Sequence, residues 1–227
     1  MKSPKKESDS FINQIPEGSC ILLITPPIQE SRFLGVQLLE YGFKSRIPGM
    51  FISLNDSPEM LKEKGKNYGF NLDAAETSGL LKWVDGYSAK SKLKVSDTQN
   101  IKRISGALAL TDISIFLSNV TAAFLKKSKS FKVLFDSIST LTLYNSNDTI
   151  FRFLEVITAR IKANKGVGFF MLVNDMHDQK FVSTVRQMMD GTISLDEDLN
   201  LKIVSFPRFI EKKSYKLNLT SKGFLIN

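Results

Sequence analysis

The residues best suited to do chemistry follow an apolar run and a Pro-Pro turn. Residues 19–25 have the length and composition of a buried strand, and an amphipathic stretch follows them. A strand, a tight loop and a helix in that order present backbone N–H groups to a phosphate. A working phosphate loop reads G-x-x-x-x-G-K-[ST], because glycines reach the required backbone angles and the lysine meets the phosphates. This loop contains no glycine and no lysine, and reads Thr25, Pro26, Pro27, Ile28, Gln29, Glu30, Ser31 and Arg32.

Other reactive side chains are few. His177 is the only histidine, so a metal site with several histidine ligands cannot be built within one chain. We predict that it is a loop residue. Cys20 is the only cysteine and lies in the first apolar run, so we expect a small buried hydrophobe and no internal disulfide.

The elements that position these residues alternate along the chain. Strands are predicted at residues 19–25, 50–54, 80–84, 131–135 and 167–173. Segments with helical periodicity lie between them, one of them opening at Ser57-Pro58 with a serine N-cap. From Gly191 onward the segments are short strands separated by turns. This pattern predicts an α/β fold: a mostly parallel sheet covered by helices on both faces, with a C-terminal antiparallel extension.

Length and composition indicate one domain. The chain has 227 residues, of which 42% are hydrophobic and 24% charged, enough to bury one sizeable core. Residues 1–10 are polar and basic and are predicted to form a flexible tail, followed by a single domain over 11–227. No apolar run approaches the ~20 residues that span a bilayer, and the N-terminus lacks the apolar core of a signal peptide. We therefore expect a cytoplasmic protein with no membrane partner.

The net charge is +8. A charge of this size favours phosphate polymers or anionic lipid if the cations lie on one face. Most lysines fall into small clusters, at positions 2–6, 62–66, 90–94, 126–129 and 212–213. Solvated helix ends and loops are the commoner explanation of such clusters, by roughly two to one over a binding surface, because a run of charges alone carries little specificity.

Over residues 11–227 the order of short phrases resembles KaiC-type members of the RecA-like P-loop ATPases. The phrases are IPEGS, a PP-containing loop, PGMFISLNDSPEML, GLLKWVD, VLFDSIS, MMDGTISL and LTSKGFLI. The resemblance implies a RecA-like fold, and it marks four places where active members share residues needed for ATP hydrolysis.

The phosphate loop departs from the family pattern at every position that matters. The resemblance implies glycines where Ile28 and Glu30 stand, a lysine at Ser31 and a hydroxyl at Arg32. Ile28 resists positive φ, and Glu30 is expected to bring a carboxylate near the phosphate oxygens. Arg32 cannot bind Mg²⁺ as a hydroxyl does, although its charge compensates in part.

The other three places differ as well. The glutamate pair that activates water in active members appears as Asn55 and Asp56, and an amide cannot act as a general base. Asp136 matches the acid that orients Mg²⁺, with a strand-end turn capped together with Ser137 and Ser139 as the alternative. The basic K-x-R pair falls on residues 205–207, which read Ser-Phe-Pro, with Arg208 one residue on.

Four losses predict a pseudo-ATPase with no catalytic residues and no expected cofactor, acting as a regulatory or protein-interaction module. Its partner would be a protein, such as an active KaiC-like relative or a second copy of this chain. Two alternatives stay open: an enzyme that binds ATP and Mg²⁺ weakly through Asp56, Asp136 and Arg32, and a nucleic-acid-binding accessory protein. Monomer, dimer and hexamer are all compatible with the sequence.

Overall fold

One ten-stranded sheet organises the chain in the computed structural model, which describes residues 11–91, 96–208 and 213–226. The strands are β1 (Ser19–Thr25), β2 (Gly49–Ser53), β3 (Leu81–Asp85), β4 (Ile101–Arg103), β5 (Lys132–Asp136), β6 (Val167–Val173), β7 (Gly191–Leu195), β8 (Asn200–Ser205), β9 (Ser214–Thr220) and β10 (Gly223–Ile226). In space their order is β10-β9-β8-β7-β1-β6-β5-β2-β3-β4. The strands from β7 to β4 are parallel, and β8, β9 and β10 add in antiparallel pairs. The predicted fold class is confirmed.

Helices cover both faces of this sheet. They are α1 (Gln29–Lys44), α2 (Pro58–Lys66), α3 (Leu72–Thr77), α4 (Leu110–Leu125), α5 (Ile138–Thr142), α6 (Asn147–Ala163) and α7 (Gln179–Met188). Buried side chains from α1, α2 and α3 share one apolar core with the sheet and with the C-terminal strands. Those from α4, α5, α6 and α7 form the core on the other face. No helix in the described part of the chain is long and apolar enough to cross a bilayer.

Strand β1 shows how the sequence builds both cores at once. All seven of its residues are buried. Ile21 and Leu23 join the first core, while Cys20, Leu22 and Ile24 join the second, because alternate side chains of a strand point to opposite faces. Cys20 is a free, fully buried cysteine as predicted. Its burial raises the pKa of the thiol to about 12, so Cys20 stays protonated and acts as packing.

Several predicted elements are confirmed within a residue or two. The structure also contains short elements that were not predicted. Ser57 caps α2 by accepting a hydrogen bond from the Met60 N–H, with Pro58 at the first helical position, as predicted. Strand β4 was not predicted, because its three residues are too few to give a periodic signal. The predicted tail at residues 1–10 lies outside the described residues.

Helix α1 is hydrogen-bonded to the last of the C-terminal strands. Gln37, buried in α1, donates from Nε2 to the Phe224 carbonyl (2.8 Å) and accepts from the Phe224 N–H at Oε1 (2.6 Å). Gly69, after α2, has φ +77° and lies against the backbone of Ser221 and Lys222 at the turn before β10. These contacts hold the antiparallel extension as part of the same folded unit.

The approach of Gly69 to that turn gives a test of the packing. In Gly69→Ala the new Cβ would lie 2.2 Å from the Ser221 carbonyl oxygen, so the turn must move. Gly79→Ala is the matched control, because Gly79 has φ +72° with no atom within 4 Å of the Cβ position. We expect Gly79→Ala to cost about 1–2 kcal/mol of unfolding free energy from backbone strain. Gly69→Ala should cost about 1–3 kcal/mol more by urea unfolding. Equal losses would contradict the close contact.

Candidate functional site

A cleft of about 430 Å³ opens at the carboxyl ends of the central strands. Its wall consists of the loop after β1, the residues that follow β2 and β5, and the end of β6. In open parallel sheets this is the place where ligands bind, because neighbouring connections diverge there. The cleft is therefore the candidate functional site.

The loop between β1 and α1 is short and offers few donors. It consists of Pro26, Pro27 and Ile28, and α1 begins at Gln29. Ile28 has φ −106° and ψ 150°, an extended conformation that needs no glycine. The two prolines carry no N–H group, so they cannot contribute to an anion cradle. Ser31 is buried and donates from Oγ to the Pro26 carbonyl (3.0 Å), so its hydroxyl proton is already used within the loop.

Arg32, in the first turn of α1, bridges two acidic residues. Its Nε donates to Asp136 at the end of β5, and its Nη1 donates to Asp56 in the loop after β2. The side chains of Asp56 and Asp136 are 8% and 4% exposed, against 20% for Arg32. Two carboxylates held near each other in a poorly solvated site repel one another, and the guanidinium between them offsets that repulsion.

Further contacts use most of the remaining acceptor positions. Lys64, on α2, donates from Nζ to both oxygens of Asp56 (3.0 and 3.1 Å). Asn55 donates from Nδ2 to Asp136 Oδ1 (3.0 Å) and accepts at Oδ1 from Thr140 Oγ1 (2.6 Å). Burial raises the pKa of Asp136, while Arg32 and the Asn55 amide act in the opposite direction. Two cations thus balance two buried anions, and we call Arg32, Asn55, Asp56, Lys64 and Asp136 the ionic network.

A second, uncharged set of contacts closes the wall beside β6. Ser139 Oγ accepts from the Val173 N–H (2.8 Å) and lies 2.7 Å from His177 Nε2. Burial lowers the pKa of His177, which favours the neutral form of the ring. His177 is in the loop after β6, where it was predicted. The N-cap of α5 is Ser137, whose Oγ accepts from the Thr140 N–H (3.3 Å). Capping is thus the role of Ser137, while the Asp136 carboxylate belongs to the ionic network.

Most of the predicted site residues lie together in the structure, and two of them do not line the cleft. All but Glu30 and Asp56 line the cleft, and Asp56 lies directly behind Arg32. Glu30 does not line the cleft: burial raises the pKa of Tyr68, and the neighbouring Glu30 carboxylate acts in the same direction. Residues two positions apart on a helix point in nearly opposite directions, so Glu30 and Arg32 cannot share a face. Arg208 lines a separate groove with Ile203 and Lys213.

Sequence reasoning missed Lys64 and Thr140 as parts of this site. Lys64 was grouped with other lysines of a charge cluster. The signal in the sequence was its position eight residues after Asp56, near the end of the helix that follows it. Thr140 lies four residues after Asp136, on a one-turn helix that has no periodic pattern.

The residues present do not fit a magnesium-nucleotide complex as they are arranged. A metal ion at Asp136 would have to displace the Arg32 guanidinium, and position 32 supplies no hydroxyl ligand. Within residues 11–91, 96–208 and 213–226, no group of three or more His, Cys, Asp or Glu side chains is arranged to hold a metal.

Sequence comparisons place the chain among proteins whose role is undefined. A family model described as a family of unknown function (DUF7504) matches residues 72–195. A UPF0273 protein of Sulfurisphaera tokodaii is 27% identical over 194 residues, which cover 81% of this chain and 63% of that protein. A UPF0273 protein of Pyrococcus horikoshii is 25% identical over 187 residues, covering 81% and 72%. The chain therefore spans less than two thirds of the length of the Sulfurisphaera relative.

Comparison with solved structures confirms the fold expected from the sequence resemblance. The crystal structure of KaiC-like protein PH0186 from Pyrococcus horikoshii matches with a TM-score of 0.72, covering 94% of this chain and 91% of that chain. The two sequences are 15% identical. This chain has a KaiC-like fold of the RecA type.

Removing the charge of Arg32 tests the ionic network. In Arg32→Met two buried carboxylates lose their shared cation, and we expect a loss of about 3–5 kcal/mol in unfolding free energy at pH 7. Without Arg32 the raised pKa of Asp136 moves further up. Above the pKa of the unfolded chain, the native state then binds more protons than the unfolded state, so stability falls as pH rises. The deficit of Arg32→Met should therefore be larger at pH 7 than at pH 5 in denaturant titrations.

Two further variants separate this effect from simple truncation. Asp136→Asn added to Arg32→Met removes one of the two anions and should restore part of the lost stability. Arg152→Met, at an exposed position of α6, is the control and should change stability by less than about 0.5 kcal/mol. A deficit of Arg32→Met that is independent of pH would show that the guanidinium acts through packing alone.

Proposed function

We propose a non-catalytic role for this chain, which belongs to the DUF7504 family of unknown function. In this role it acts as a protein-interaction module and does not hydrolyse ATP. The observation that carries this proposal is the Arg32 guanidinium between Asp56 and Asp136. The groups with which a RecA-like site would hold a metal are already bound to cations of the chain itself.

The chemistry available in the cleft supports this. Hydrolysis of a phosphoanhydride needs an oriented water, a neutralising metal and donors on the transferred phosphoryl group. Asn55 is an amide whose Nδ2 donates to Asp136, so it cannot take a proton from water. Asp56 accepts from both Arg32 and Lys64, so cations of the chain itself already occupy its carboxylate oxygens. Moving Arg32 onto a phosphate would leave two buried carboxylates without their bridge.

Exposed apolar side chains at the rim of the cleft support binding to a protein. Leu143 and Met176 line the cleft and are 65% and 50% exposed. Tyr144 follows directly, and Asn145 donates from Nδ2 to the Ala107 carbonyl (3.0 Å), which joins this segment to the one that carries Leu108. Leu108 and Tyr144 are 66% and 48% exposed. We call Leu108, Leu143, Tyr144 and Met176 the rim patch, and adjoining exposed apolar side chains of this kind are typical of interaction surfaces.

Calorimetric titration with magnesium and ATP tests the loss of the nucleotide site. We expect no binding tighter than about 1 mM and no phosphate release above that of Asp136→Asn. The matched control is Asp148→Asn, which removes an exposed carboxylate from the first turn of α6. A submillimolar dissociation constant that is lost in Asp136→Asn and kept in Asp148→Asn would overturn the non-catalytic proposal.

Site-specific photo-crosslinking in extracts of the source cells tests the rim patch. A photoreactive residue replaces Leu143 in one sample and Val156 in the other. Val156 is a 44% exposed position on α6 that does not line the cleft. We expect a discrete protein adduct from position 143 only, reduced when Met176→Glu places a charge in the same patch. The absence of any adduct at position 143, or equal adducts at both positions, would contradict a partner on this surface.

A further inference from the structure

Five exposed cations lie at the end of the sheet opposite to the cleft. In a parallel α/β sheet the helices run back against the strands, so their carboxyl ends meet the amino ends of the next strands. Arg46 lies between α1 and β2, Lys165 between α6 and β6, and Lys126, Lys127 and Lys129 between α4 and β5. All five side chains are exposed. We call these five residues the basic edge.

Hydrogen bonds fasten the three connecting segments to one another. The Lys132 N–H donates to the Pro48 carbonyl (2.9 Å), which joins the segments before β5 and β2. The Val167 N–H donates to the Phe131 carbonyl (2.9 Å), and Ser130 Oγ donates to the Lys165 carbonyl (2.6 Å). Since β2, β5 and β6 are neighbours, the three segments are held side by side along about 10 Å of sheet edge.

Three carboxylates near this edge have lysine partners of their own, while Glu17, exposed just before β1, has no ion pair among the described residues. Glu40 pairs with Lys44, Glu76 with Lys62, and Asp190 with Lys162. Among the described residues, none of the five cations of the basic edge has an ion pair with a carboxylate. Burial lowers the pKa of Lys82 at the start of β3, and the charge of Lys127 acts in the same direction. The edge thus carries five unpaired cations against one unpaired carboxylate, Glu17, and is a positive surface.

The side chains around these cations distinguish between polyanions. Insertion into a lipid surface needs exposed apolar residues among the cations. The exposed large hydrophobic residues of the described chain lie elsewhere: in the rim patch, on the helices at Met60, Ile115 and Val156, and in the antiparallel strands at Val204 and Leu225. Single-stranded nucleic acid is held by bases stacked on aromatic rings. The one strongly exposed aromatic residue of the described chain, Tyr144, is in the rim patch. A charged edge without apolar or aromatic contacts suits a regular phosphate backbone.

We infer that the basic edge binds the phosphate backbone of double-stranded nucleic acid without reading its sequence. Phosphates follow one another at about 3.4 Å of helix axis per strand, so the edge meets several of them at once. Each cation that neutralises a phosphate releases a counterion, which makes the affinity depend steeply on salt. The surface is at the far end of the sheet from the cleft, so this inference does not rest on the proposed function.

Fluorescence anisotropy with a labelled duplex of about 25 base pairs and arbitrary sequence tests the inference. We expect a plot of log affinity against log salt concentration with a slope of about −4.5, from five cations at about 0.9 each. The edge variant Lys126→Gln, Lys127→Gln, Lys129→Gln and Lys165→Gln should bind at least about tenfold more weakly at 0.1 M salt, with a slope near −1. A second duplex of unrelated sequence should bind equally well.

The matched control removes the same number of charges elsewhere, at Lys180→Gln, Lys202→Gln, Lys216→Gln and Lys222→Gln. All four lysines are exposed: Lys180 is on α7, Lys202 and Lys216 are on the antiparallel strands, and Lys222 is in the turn between β9 and β10. The control should retain the affinity of the unmodified protein, and circular dichroism melts check that both variants are folded. Absence of binding at low salt, or equal weakening in both variants, overturns the inference. So does tighter binding to a single strand, or binding to phosphatidylserine vesicles without binding to the duplex.

Discussion

The cation of Arg32 is the constraint on which the candidate site depends. Asp136 and Asp56 are both buried at the carboxyl ends of neighbouring strands, where the parallel sheet brings them together. Buried carboxylates need a positive charge, a metal ion or a proton. Here a side chain from the first turn of α1 meets that need, with Lys64 as a second cation. The positive charge that these carboxylates need is thus supplied by side chains of the chain itself.

The same constraint accounts for the shape of the loop that precedes Arg32. A loop that wraps a triphosphate requires backbone conformations that glycine adopts most readily. The loop between β1 and α1 has no such requirement, since it spans three residues and Ile28 is extended at φ −106°. Two prolines stiffen it and remove two N–H groups. The short loop starts α1 early enough to place Arg32 over both carboxylates.

Much of the fold was predictable from the sequence because its strongest signals are long. Strands β1 and β6 are apolar runs of seven residues, and their predicted bounds match the structure. The three residues of β4 and the single turns of α3 and α5 are too short to show a period, and contacts with the rest of the fold decide them. The site was predictable as a set of positions. Its pairings were not, because a spacing along the chain does not say which way a side chain points. Glu30 illustrates this, since it faces Tyr68 while Arg32, two residues on, faces the cleft.

The two ends of the sheet differ in charge for an architectural reason. Helices that return against parallel strands end at the edge opposite the cleft, and cations near helix carboxyl ends are stabilised by the helix dipole. One or two lysines per helix end satisfy that requirement, as Lys44 and Lys162 do while paired with Glu40 and Asp190. Lys126, Lys127 and Lys129 follow a single helix and have no carboxylate partner in the described chain, so they exceed what the dipole of α4 needs. An excess of solvated positive charge in one place disfavours the folded state through self-repulsion, and a bound polyanion removes that cost. The cleft balances its charges internally, whereas the five cations of the opposite edge have no ion pair among the described residues.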